Sequence, residues 1–312
     1  MDIGQNFTLS FNELMKKKVL VAPALLSSLI STILILIFIF STGLNDVGEE
    51  YTQFVEKYEK ENPGKKADTN NPEFSSYLES NGWYDNIFDD VFTKTGIIFI
   101  VIIVIVIAAT SYYLSCASLA LITLNINKKK LSIKNTISLT NKFLWKYFLL
   151  YFFTSLLIMA IVVIAALLIA VSFIVNKIIG VLSTVFIVLG GIALLVFLLT
   201  RLFFGMPIMF MEDKGAMFSL KHSYKITKNH WMEIFLLVLV IVGISMTFGF
   251  LSNAFFGSIM ELLTSNALKI MFTMTILLLF YVINSFVTVF IYMFLFYSYI
   301  NFKKTNKIVI KN

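Results

Sequence analysis

The strongest constraint in this sequence is where charge is missing. Val19 to Asn45 holds no Asp, Glu, Lys or Arg, and neither does Thr95 to Asn127. Tyr147 to Asn176 is uncharged, Lys177 interrupts, and Ile178 to Thr200 is uncharged again. Ile234 to Met260 and Ile270 to Phe302 complete the pattern. A hydrocarbon core of about 30 Å takes roughly 20 apolar residues in a helix. Backbone groups in lipid must be satisfied within the segment, so such stretches are helical. Six of them predict an all-α polytopic membrane protein, with spans over approximately 19–43, 96–126, 147–175, 178–204, 232–257 and 270–300. Charged residues are 14% of the chain, where a soluble domain carries about 25%. The first span is longer than a signal-peptide core and no small-x-small cleavage pattern follows it, so it reads as a membrane anchor. One cysteine, Cys116, allows neither an internal disulfide framework nor a Cys metal cluster.

The sign of the charge predicts topology. Residues 44–95 form an acidic loop holding 12 of the 18 acidic residues against 5 basic ones. The segments on the other side carry 18 of the 25 basic residues, among them Lys16–Lys18, Lys128–Lys130, Lys142 and Lys146. Basic residues flanking spans stay cytoplasmic. The reading is a multi-pass cell-membrane protein with both termini in the cytoplasm and the acidic loop outside. Within that loop Tyr51, Phe54, Val55 and Tyr58 are spaced helically, with Glu56 and Lys60 as an i, i+4 pair. Phe74, Tyr77 and Leu78 form a second apolar stripe, and Trp83, Ile87, Phe88 and Val91 a third. Two or three short helices are expected, able to cap the spans or receive a protein partner. Asp85, Asp89 and Asp90 read as a solvated acidic face.

Each odd-numbered span is preceded by a basic amphipathic stub: SFNELMKKKVLVAP, LSIKNTISLTNKFLWKYFLL and FSLKHSYKITKNHWMEIFLL. These predict three helical hairpins entered through interfacial elbow helices on the cytoplasmic side. In the third stub Asp213 is placed to cap the helix N-terminus. At 100° per residue Lys221, Lys225 and Lys228 share a stripe, beside a face of Ala216, Leu220, Ser223, Tyr224 and Thr227. Such a helix can lie in the headgroup plane with its lysines toward anionic lipid phosphates. Fixing topology and receiving a protein partner are the other roles open to these lysines. Trp145 and Trp231 stand where the spans leave the interface, as aromatic anchors do.

The stretch MPIMFMEDKGAMFSLKHSYKITKNHWMEIFLL resembles the membrane domain attached to some glycerophosphoryl diester phosphodiesterases and related six-span prokaryotic membrane proteins. Pro207, Glu212, Phe218-Ser219-Leu220, Ser223-Tyr224, Lys225, Lys228 and Trp231 fill that group's pattern. ELMKKKVLVAPALLSSL resembles its opening elbow. The likeness is sharp over about 35 residues and architectural elsewhere. It implies an integral membrane domain and no phosphodiesterase chemistry, which belongs to a separate soluble barrel.

No catalytic constellation is present. His222 and His230 are eight residues apart with no Cys or third His, which is not the i, i+4 zinc pair. No metal, cofactor or nucleic-acid partner is expected, and the chain reads as a non-enzyme. Arg201, the only arginine, is a snorkelling anchor or an interhelical partner of Glu233. Gly205 and Pro207 break the fourth span, as a helix end or a hinge. Asn284 and Ser285 are intramembrane polar candidates for packing or substrate contact. Gly190-Gly191 suggests close helix approach. The leading function is binding or organising membrane lipid through anionic headgroups. The alternative is a transporter or permease subunit for a lipid-like or small amphipathic substrate.

Overall fold

A computed structural model describes residues 2–41, 44–65, 67, 71–81, 94–175, 177–262 and 266–306. Among them every regular element is helical. In order they are α1 (Ile3–Lys16), a 3-10 turn (Lys18–Val21), α2 (Ala22–Ser41), α3 (Leu44–Glu61) and α4 (Pro72–Ser80). Then come α5 (Lys94–Ile126), α6 (Ile133–Val175), α7 (Lys177–Leu202) and α8 (Gly205–Glu212). The last three are α9 (Ala216–Ile226), α10 (Trp231–Leu262) and α11 (Asn266–Thr305). The six long helices α2, α5, α6, α7, α10 and α11 are long and apolar enough to cross a bilayer. Many of their apolar side chains are exposed: Ile174, Phe186 and Phe250 are 83%, 75% and 74% exposed. Leaving such a side chain in water forgoes about 1.5–3 kcal/mol, so hydrocarbon is the solvent these faces fit.

The chain divides into two compact units, Leu26–Tyr112 and the combination of Met1–Leu25 with Tyr113–Asn312. In the first, the hydroxyls of Ser31 and Ser111 lie 3.4 Å apart. The first two apolar stripes of the acidic loop lie on helices, as expected, and they pack on each other: Tyr58, Phe74 and Leu78 are buried, with Tyr51, Phe54, Val55 and Tyr77 packed around them. Asn71 caps α4 by accepting from the Glu73 N–H at 3.0 Å, with Pro72 in the first turn. Gly64, at φ 91°, makes the turn between α3 and α4 that a side chain would strain. Lys65 pairs with Glu73 here, and among the described residues no ion pair joins Glu56 and Lys60. Trp83, Ile87, Phe88 and Val91, and the carboxylates Asp85, Asp89 and Asp90, lie outside the described residues.

In the larger unit α6 packs along α7 and α10 along α11. At the α6–α7 turn, a Cβ on Gly180 would lie 2.7 Å from a Phe173 ring carbon and 3.0 Å from its Cα, so only glycine fits. A Cβ on Gly190 or Gly191 would meet nothing within 4 Å, so among the described residues the close approach expected there is not made. Phe204 and Ile208, Ile234 and Leu237, and Phe294, Tyr299 and Phe302 form the core where α8, α10 and α11 meet. α1 packs on α11 with polar residues inward: Asn6 donates to the Ser298 hydroxyl at 3.4 Å and accepts from Asn301 at 3.2 Å. Its Phe7, Phe11 and Met15 are exposed. That is the orientation of a helix whose outer face meets something apolar.

Two of the three expected elbows are separate helices, α1 and α9. The second is not. α6 runs without a break through LSIKNTISLTNKFLWKYFLL into its span. No Gly or Pro interrupts that stretch, whereas Pro23 follows the first stub and Thr227–His230 form a turn after the third.

Candidate functional site

The short helix α9 sits against the C-terminal end of α7. The last carbonyls of a helix have no intrahelical donor. Here side-chain hydroxyls supply one. Ser223 Oγ donates to the Arg201 carbonyl at 2.8 Å and accepts from the Phe204 N–H at 3.1 Å. Thr227 Oγ1 lies 3.2 Å from the same carbonyl and 2.9 Å from the Ser223 carbonyl, between which its one proton is shared. Ser223 and Thr227 are fully buried, as are Ser219 and nearly all of Ala216 and Leu220. This is the face predicted from spacing, with one difference: Tyr224 is 45% exposed. Lys221, Lys225 and Lys228 are all exposed on the opposite side.

Asp213 does not cap α9. The N-cap is Gly215, which offers no side chain. Asp213 instead adopts the left-handed conformation, φ 52° and ψ 41°, at the end of α8, which Asp tolerates better than most residues. The turn splays Glu212 and Asp213 toward different helices. Asp213 accepts from Lys142 and from Lys146, the latter at 2.9 Å, both on α6. Glu212 accepts from Lys303 and from the Tyr299 hydroxyl at 3.3 Å, both on α11. Two adjacent carboxylates thus tie α8 to α6 and to α11. Burial alone would raise the Asp213 pKa; the Lys142 and Lys146 hydrogen bonds outweigh it and hold the carboxyl below its ordinary 3.8.

Arg201 and Glu233 are not brought together. Among the described residues no ion pair joins them, and Glu233 is bonded to His230 Nδ1 at 3.2 Å. The Arg201 guanidinium carbon lies 5.0 Å from the Phe197 ring centroid and 5.3 Å from that of Tyr224. Only 7% of the residue is exposed, and its Nε and Nη1 have no hydrogen-bond partner among the described residues. Aromatic faces recover about 0.5–2 kcal/mol for such a cation, and they draw the guanidinium away from Glu233. Gly205 and Pro207 do not carry the break in the chain. Phe203 and Phe204 do, and Pro207 follows in the first turn of α8, where its missing N–H costs nothing. A Cβ on Gly205 would meet Leu220 Cδ2 at 3.1 Å, so this glycine sets the approach of α9. Ser285 is buried and donates to the Tyr281 carbonyl of its own helix at 2.7 Å. Asn284 is half-buried.

His222 stacks on Phe218, ring centroids 5.5 Å apart, and its Nε2 is buried without a partner among the described residues. Burial, then Lys225, hold its pKa below the ordinary 6.5; Glu212 opposes them and Lys303 assists.

Beside α9 runs a groove of about 570 Å³, within the range of about 300–1,000 Å³ typical of small-molecule sites. Phe153 and Ala160 of α6 and Leu198 and Leu202 of α7 form its walls. Met217, Leu220, Lys221 and Tyr224 of α9 line it as well. Sequence reasoning found the lysine stripe but neither the groove nor the splayed carboxylates. The available signals were Ala160 amid bulky neighbours and the Glu-Asp-Lys-Gly run.

Six apolar helices and a basic helix locked onto the end of one of them define the class: a polytopic α-helical membrane protein. The chain belongs to the family described as a family of unknown function, DUF7544, which it matches over residues 16–303. That description draws no link to the phosphodiesterase membrane domain. No curated protein and no solved structure matches the chain.

Proposed function

We propose that the protein is a non-enzymatic cell-membrane protein that binds anionic lipid headgroups on the cytoplasmic side. The observation that carries this is the outward placement of Lys221, Lys225 and Lys228 on a helix whose other face is fixed to α7 by buried hydroxyls. Each lysine near an anionic leaflet contributes about 1 kcal/mol, so three give roughly 3 kcal/mol, a factor of about 100 in affinity. The phosphodiesterase-domain resemblance supports the same membrane placement. The transport alternative rests on Asn284 and Ser285, and the Ser285 hydroxyl is engaged within its own helix. Native mass spectrometry of gently extracted protein tests the proposal. The variant K221Q/K225Q/K228Q should lose anionic lipid that the wild type retains. Equal retention by the two proteins would end this reading.

A further inference from the structure

The groove beside α9 fits an occupant that is apolar along most of its length and anionic at one end. Lys221 is the one charged side chain lining it. Met217, Leu220, Lys221 and Tyr224 all line it, at i, i+3, i+4 and i+7, one stripe of α9. The α6 wall from Phe153 to Ala160 is about 10 Å long at 1.5 Å per residue, and it is apolar throughout its contribution to the groove. Tyr224 connects this space to a second cation. Its ring lines the groove and also faces Arg201. Two nitrogens of that guanidinium are buried with no acceptor among the described residues.

We infer that the groove binds one acyl chain of a phospholipid with an anionic headgroup. The chain lies between α6 and α7, the phosphate meets Lys221, and Arg201 supplies a second positive charge across Tyr224. This rests on the headgroup reading and deepens it, because it separates the three lysines. Lys225 and Lys228 do not line the groove and act only through the general surface potential. Lys221 acts at the bound lipid itself. A free phosphate would need the cations and not the groove.

The test uses the full-length protein in detergent micelles, read by native mass spectrometry. Its ligands are phosphatidylglycerol, lysophosphatidylglycerol, phosphatidylcholine and glycerol 3-phosphate. Phosphatidylglycerol and lysophosphatidylglycerol should bind one to one, phosphatidylcholine about tenfold more weakly, and glycerol 3-phosphate not measurably. Ala160→Trp fills the place of the chain and should weaken both anionic lipids about tenfold or more, and Lys221→Gln should weaken them more than Lys225→Gln does. Leu157→Trp, on the same wall, serves the same purpose if the first variant is not monodisperse. Wild-type binding of phosphatidylglycerol by both tryptophan variants would overturn the groove. The headgroup reading would survive that result if K221Q/K225Q/K228Q still lost the lipid. Phosphatidylcholine bound as tightly as phosphatidylglycerol would overturn the charged half of the inference and the headgroup reading with it. Glycerol 3-phosphate bound as tightly as the lipids would show a phosphate site and overturn the role of the chain.

Discussion

Ser219 and Ser223 are one turn apart on α9, and both are fully buried. Their bonds differ, and so should the cost of losing them. Ser219 Oγ donates to the Gly215 carbonyl at 2.9 Å, and the Ser219 N–H already bonds that carbonyl at 2.9 Å. Ser219→Ala therefore leaves its acceptor satisfied. Alanine's better helix propensity offsets part of the loss, and the net change should be within about 0.5 kcal/mol. Ser223→Ala removes the acceptor of the Phe204 N–H and one of two hydroxyls at the Arg201 carbonyl. A lost bond of about 0.5–1.5 kcal/mol and a stranded buried donor of about 1–3 kcal/mol combine to roughly 2–3 kcal/mol. The two variants should thus differ by about 2 kcal/mol, roughly a thirtyfold change in the unfolding equilibrium. The assay is reversible unfolding in mixed micelles, followed by tryptophan fluorescence. Equal costs for the two serines, within about 0.5 kcal/mol, would refute the argument that α9 is held by its bonds to the end of α7.

Asp213→Asn keeps a residue that tolerates the left-handed backbone and removes only the charge facing Lys142 and Lys146. Both pairs are about half exposed, so the loss should be about 1 kcal/mol at low salt and mostly vanish near 1 M salt. Because the folded carboxyl is held below 3.8, its stabilisation is complete above that value and drains away as pH falls through the lowered one. Unfolding titrations at roughly pH 5 and pH 3 should show this slope in the wild type and not in the variant. His222 has the opposite chemistry: its folded pKa lies below 6.5, so the unfolded chain takes up the proton first. Stability should be full above 6.5 and decline as pH falls below it, and His222→Gln should flatten that decline. An unchanged slope in the variant would assign the effect to another group.

The spans were legible because burying charge in hydrocarbon is costly and leaves gaps that can be read directly. The helices α3 and α4 were legible from apolar residues at helical spacing on either side of a Gly-containing turn, but their packing on each other through Tyr58, Phe74 and Leu78 was not. The buried face of α9 was legible from its 100° periodicity, apart from Tyr224, whose ring is drawn to Arg201. What sequence could not show was the partner of each charge. Arg201 and Glu233 are both near the α7–α10 junction, yet aromatic rings take the first and His230 the second. Asp213 looked like a helix cap, but Lys214 and Gly215 intervene before α9 starts. The left-handed turn then delivers it to α6, whose sequence lies some 70 positions away. The second elbow failed as an expectation because amphipathicity alone does not end a helix; a breaker does, and none is present before Val175.

One consequence of that unbroken helix remains. α6 has 43 residues, about 64 Å at 1.5 Å per residue, roughly twice a bilayer's hydrocarbon thickness. A rod of that length is a lever. Lys142 and Lys146, gripped by Asp213, stand near one end, and the tight Phe173–Gly180 contact stands near the other. With no Gly or Pro along its length to kink it, the Asp213 grip and the Gly180 contact bear on one continuous element.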